Sequence, residues 1–139
     1  MVVILTIFIG GYNAANLASV YKLEYDEWKQ LPDMNHPRYA HSCVLVDGQL
    51  FVIGGYGAEK SVEVMDTDSG RWREGPSLDF SHIYGQTVVH DSVLYVLYKD
   101  GKVVKLTDGK KWEDVASIGS IGTRPVNPPL LVTAGMLGC

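Results

Sequence analysis

A 44-residue internal repeat limits what this chain can fold into more than any other feature. Gly10 and Gly11 recur as Gly54 and Gly55, and Trp28 recurs as Trp72 at the same offset. Trp112 follows 40 residues after Trp72. Residues 44–50 shifted by 44 land on 88–94, so Asp47 falls on Asp91, and Phe51, Val52 and Ile53 fall on Tyr95, Val96 and Leu97. Self-similarity at a period of roughly 20–50 residues marks a supersecondary unit that cannot bury its apolar faces alone and must stack on copies of itself.

The content of the unit is clearest in residues 38–76. An apolar run at 43–46 turns on Asp47 and Gly48, returns as 50–53 and stops at Gly54 and Gly55. A third run at 62–65 alternates apolar and charged residues, and Trp72 opens a fourth short segment. Asp-Gly between apolar runs predicts a two-residue hairpin, because a type I′ turn needs positive φ at both central residues. Four short strands with turn signals between them, repeated at this period, predict blades of a β-propeller. No stretch of helical periodicity competes with that reading.

At these residues a resemblance becomes specific. An arginine at the strand entry, an apolar strand, Gly-Gly, a loop, a second apolar strand and then tryptophan resembles the kelch repeat. The match is close over residues 38–76, with Met65 replacing the usual aromatic before Asp66, good over 6–34 and partial over 81–112. The expected fold is therefore all-β: kelch-type blades of four antiparallel strands in an incomplete ring of about three. Residues 1–36 read as an incomplete blade, 37–79 as a complete one, 80–122 as a divergent one, and 123–139 as the stub of a next blade or a tail. In the divergent unit Tyr98 and Lys99 stand where a glycine pair is expected, and Asp100 and Gly101 follow at once. That predicts a shorter loop and a lower rim at this blade. In all three units Trp28, Trp72 and Trp112 read as packing residues between sheets, and Gly10, Gly11, Gly54 and Gly55 as backbone positions where a neighbour passes close.

Charge and composition remove several classes of function. A formal net charge of −4 and a sequence pI near 5.5 leave no basic footprint for nucleic acid. Residues 1–10 are apolar but too few to span a bilayer, and they lack a signal peptide's basic start and cleavage site, so no membrane association is expected. Cys43 and Cys139 form no CxxC spacing and no disulfide framework; Cys43 reads as an inert core thiol in a reduced, cytoplasmic setting. Propellers close with roughly four to eight blades. About three blades leave apolar faces open, which implies either a piece of a longer chain or self-association through those faces, the first being the better fit.

The candidate chemistry is sparse. His36, His41, His82 and His90 show neither HxH nor HExxH spacing, so no metal and no cofactor is expected. Glu63, Asp66 and Asp68 read as a solvated outer edge, and no nucleophile stands with a base and an orienting group. The resemblance implies instead a ligand-docking rim, built from the loops entering each inner strand and those between second and third strands. Carried onto this sequence, the partner-binding positions are Arg38, Tyr39, His82 and Tyr84 at the entries, Tyr12 and Asn13 after the first glycine pair, and Tyr56 after the second. Arginine beside tyrosine is hot-spot chemistry: a two-bond fork for a carboxylate beside rigid aromatic area. The function this implies is a non-catalytic module that binds a protein or acidic peptide, as the substrate receptor of a ubiquitin-ligase adaptor or as a cytoskeletal binder. The alternative is part of a kelch-like enzyme of the galactose-oxidase or sialic-acid mutarotase type; no Tyr/His/His/Tyr copper set is apparent.

Overall fold

The computed structural model describes residues 6–9, 19–98 and 100–115. Within them the chain forms three antiparallel sheets, each a meander in chain order. The first holds β1 (Thr6–Ile9), β2 (Val20–Glu24) and β3 (Glu27–Leu31). The second holds β4 (Ser42–Val46), β5 (Gln49–Ile53), β6 (Val62–Asp66) and β7 (Trp72–Glu74). The third holds β8 (Gln86–His90), β9 (Val93–Leu97), β10 (Val103–Thr107) and β11 (Lys111–Val115). No helix long and apolar enough to cross a membrane occurs among the described residues.

The predicted hairpin chemistry is realised. Asp47 and Gly48 link β4 to β5 with φ of 48° and 75°, and Asp91 and Ser92 link β8 to β9 with 49° and 59°. Both residues of each turn are left-handed, which matches the twist of the flanking strands. Tyr25 and Asp26 make the same turn between β2 and β3, at 50° and 62°, without a glycine to announce it.

Strand β5 shows how the sheets stack. Its side chains alternate faces with the period of two that a strand imposes, and here both faces are covered. Leu50 and Val52 join Val20, Met34 and Met65 in a core shared with the first sheet. Phe51 and Ile53 join Val64, Leu94, Val96 and Leu106 in a core shared with the third. Burying each such side chain contributes about 1.5–3 kcal/mol, and that driving force is available only when blades stand side by side.

The outer strands add directed ties. The Trp72 indole N–H donates to the carbonyl of Pro32 at 2.8 Å, and Trp112 donates to Pro76 at 2.7 Å. Each tryptophan therefore reaches back to the connection that leaves the preceding blade. Trp28, predicted to pack likewise, is 49% exposed. Cys43 lies in the core of β4, 6% exposed, and Cys139 lies outside the described residues.

Candidate functional site

The site is built where β4 and β8 begin and where the loops after β5 and β9 cross them. Residues 54–61 return the chain from β5 to β6, and the glycine pair is needed because this loop passes two strand entries at once. Gly54 (φ 66°) lies so near the next blade's entry that a Cβ would overlap the His82 carbonyl. Gly55 (φ 92°) is as tight against the Tyr39 carbonyl and donates its own N–H to the His82 carbonyl at 2.7 Å. Backbone contacts thus bring residues 38–41, 54–57 and 82–85 to one rim.

Arg38 does not project from that rim. It is fully buried, and each of its five N–H groups points at an acceptor of this chain. Nε donates to the His36 carbonyl at 3.4 Å; Nη1 donates to the carbonyls of Gly54 at 3.0 Å and Ser61 at 3.2 Å. Nη2 donates to Ser61 Oγ at 3.1 Å and to Glu63 Oε2 at 2.5 Å. Glu63, read from sequence as a solvated charge, is also fully buried, and it accepts the backbone N–H groups of Asn35 at 2.7 Å and His36 at 3.2 Å. Desolvation pulls the Arg38 pKa down, and the Glu63 carboxylate opposes it. A guanidinium satisfied on all sides is a brace for the blade. It leaves no fork for a carboxylate, so the argument for an acidic peptide at this position falls with it.

His82 occupies the position one repeat after Arg38 and is likewise buried, not on the rim surface. Its Nε2 lies 2.7 Å from Ser42 Oγ, and its ring meets Tyr98 edge to face at 5.6 Å. Burial pushes its pKa down to about 4, so the ring is neutral at pH 7. Strand pairing places Val104 where Glu63 stands in the preceding blade: Val52 faces Glu63, and Val96 faces Val104. Cation and anion have thus been exchanged together for a neutral pair. Neither charge is left buried alone, the arrangement that costs most.

Three of the predicted rim residues do come together. Tyr39 and Tyr56 stack at 4.9 Å between ring centroids, and Tyr84 meets Tyr56 edge to face at 6.0 Å. The backbone holds the cluster: Tyr56 N–H donates to the Tyr39 carbonyl at 2.9 Å and Tyr84 N–H to the Ala40 carbonyl at 3.0 Å. Tyr84 is 61% exposed and Tyr56 38%. Tyr84 also has φ of 53°, a left-handed conformation that costs a bulky residue about 1–2 kcal/mol. Its counterpart one repeat earlier, Ala40, takes φ of 54° with a side chain of one carbon. An exposed aromatic held in strain is a feature that functional surfaces retain.

Tyr12, Asn13, Gly10 and Gly11 lie outside the described residues. Among the described residues no group of three His, Cys, Asp or Glu stands close enough to hold a metal. Sequence reasoning missed Glu63, whose signal was a charge between Val62 and Val64 on a strand buried on both faces. It also missed Phe80, which is 47% exposed and packs edge to face on Tyr98 at 5.7 Å.

The Kelch motif matches residues 37–78, the second blade with its entry. No curated protein matches the chain. The solved structure titled "Structure of YjhT" superposes with a TM-score of 0.64 at 16% identity, covering 77% of this chain and 47% of that one. The chain therefore spans about half the length of that structure, and at this identity the likeness speaks for fold alone. Blade topology, glycine pair and motif define a class: stacked four-stranded blades of the β-propeller kind. Within it, residues 37–78 carry a Kelch motif, and the rest of the described chain shares the propeller fold.

Proposed function

We propose that the chain is a non-catalytic part of a protein-interaction propeller, and that a protein partner docks on the rim carrying Tyr39, Tyr56 and Tyr84. The observation that carries this reading is the tyrosine cluster, with its most exposed member held at positive φ. Tyrosine supplies rigid contact area with a polar tip at low entropy cost, which is why it dominates binding hot spots. The three rings form a stacked pair with a perpendicular wall, a corner that an apolar side chain or a proline ring can fill. A substrate receptor of a ubiquitin-ligase adaptor and a cytoskeletal binder would both use such a surface.

The test is site-specific photocrosslinking in cells. A benzoylphenylalanine at position 84 should capture a discrete partner. The same probe at His90, on the hairpin at the opposite ends of the strands, should not. Equal capture from both positions, or none from 84, would overturn the assignment of this rim.

A further inference from the structure

The third blade departs from the second at the positions of Tyr98 and His82, and together these changes open a pocket that the second blade has no room for. Phe80, Ser81, His82, Ile83, Tyr98 and Asp100 line a cavity of about 190 Å³. Small-molecule sites run to roughly 300–1,000 Å³, so this one is sized for a side chain. In the second blade the position of Tyr98 is Gly54, where no side chain fits, and the guanidinium of Arg38 fills the space behind it.

The walls of the pocket favour a cation. Phe80 and Tyr98 present aromatic surface, whose π-faces attract positive charge. Asp100 uses Oδ1 to accept the Lys102 N–H at 3.0 Å, and among the described residues its other oxygen makes no hydrogen bond. Burial first, and then the charges of Asp79, Asp100 and Asp114, push the Tyr98 hydroxyl pKa up. The buried His82 is neutral and adds no opposing charge, and its Nδ1 has no partner among the described residues. The chain supplies its own demonstration: Lys102 Nζ sits 3.6 Å over the Phe80 ring and 3.3 Å from Asp114 Oδ1. One aromatic wall with a carboxylate beside it already holds an ammonium.

We propose that this pocket receives an arginine or lysine side chain of the docking partner, with Asp100 as its counter-ion and the Phe80 and Tyr98 rings as its walls. The proposal rests on this rim being a protein-docking surface, and it names the residue type that the partner brings. Lys102 competes for the Phe80 face and so lowers the affinity for an incoming cation.

The experiment is an NMR titration of the isotope-labelled full chain with acetyl-Gly-Arg-Gly-amide, and with acetyl-Gly-Glu-Gly-amide as the control. The arginine peptide should give saturable shifts at Ser81, His82, Ile83 and Asp100; the glutamate peptide should not. Asp100→Asn keeps an acceptor for the Lys102 N–H and should weaken binding at least fivefold. Lys102→Met should tighten it severalfold by clearing the ring face. Absence of saturable shifts at these residues, an equal response to the glutamate peptide, or indifference to Asp100→Asn would each overturn the pocket. Pocket binding without crosslinking at position 84 would sink the rim assignment alone, and crosslinking without pocket binding would sink this inference alone.

Discussion

Arg38 and Glu63, 25 residues apart in sequence, meet at 2.5 Å with both side chains wholly out of solvent. The pair ties the strand entry of β4 to the third strand of the same blade. Glu63 also gathers the N–H groups of Asn35 and His36, so the crossing from the first blade hangs on one carboxylate. Removing one partner strands the other as a buried charge. Arg38→Ala and Glu63→Gln should each destabilise by about 3–5 kcal/mol. The double change Arg38→His with Glu63→Val, which copies the third blade, should cost less than the two single changes summed, with a coupling of about 1–3 kcal/mol. Urea unfolding of the four proteins measures the cycle, and strict additivity would show that the two residues act separately.

The tryptophans should not be equivalent. Trp72 packs against the first core and donates to Pro32, so Trp72→Ala should cost about 3 kcal/mol, near the lower end for emptying an aromatic site because the ring is only partly buried. Trp72→Phe should cost about 1 kcal/mol, the net worth of the lost hydrogen bond. Trp28→Ala, at a ring 49% exposed, should cost clearly less than Trp72→Ala. Thermal melts of the three variants decide the order.

Stability should fall on mild acidification. His82 is held neutral by burial, with its pKa at about 4 in the folded state against 6.5 for the unconstrained ring. His41 is lowered to about 4 as well, by burial and then by the Arg38 charge. Between these values the unfolded chain takes up protons that the folded chain refuses, so stability is complete above pH 6.5 and drains away as pH falls toward 4. For His82 the loss amounts to about 3 kcal/mol across that window. His82→Gln should flatten the slope substantially, leaving the part owed to His41. A slope unchanged by the substitution would mean that other groups carry the titration.

Much of this fold was legible in the residues. The 44-residue offset, the Asp-Gly turns and the alternation along β5 are local signals, and the strands formed where those signals stood. The shorter loop at Tyr98 was legible too, since Asp100 and Gly101 leave no room for a longer one. Arg38 was misread because an arginine beside a tyrosine at a strand entry looks the same whether the guanidinium points out or in. The deciding partner, Glu63, lies on β6, and its burial follows from sheets covering both faces of the blade. Trp28 shows the converse: it matches Trp72 by offset, but burial depends on what stands beside the blade, which an offset does not carry. The tyrosine cluster was partly visible as positions. Its strain at Tyr84 was not, since a type-blind repeat gives no dihedral angle.

Tyr84→Gly, followed in parallel by melting temperature and by partner capture through a crosslinker at position 56, tests most directly the division of labour between Arg38 and the tyrosines. Glycine accepts a φ of 53° without penalty, so relief of strain should offset the lost ring contact with Tyr56 and leave the melting temperature unchanged or up to a few degrees higher. Partner capture should fall at least tenfold, because an exposed hot-spot tyrosine contributes about 2 kcal/mol or more to an interface. A protein that melts much lower and still captures its partner at the wild-type level would contradict the account: Tyr84 would then belong to the scaffold and the rim would not be the docking surface.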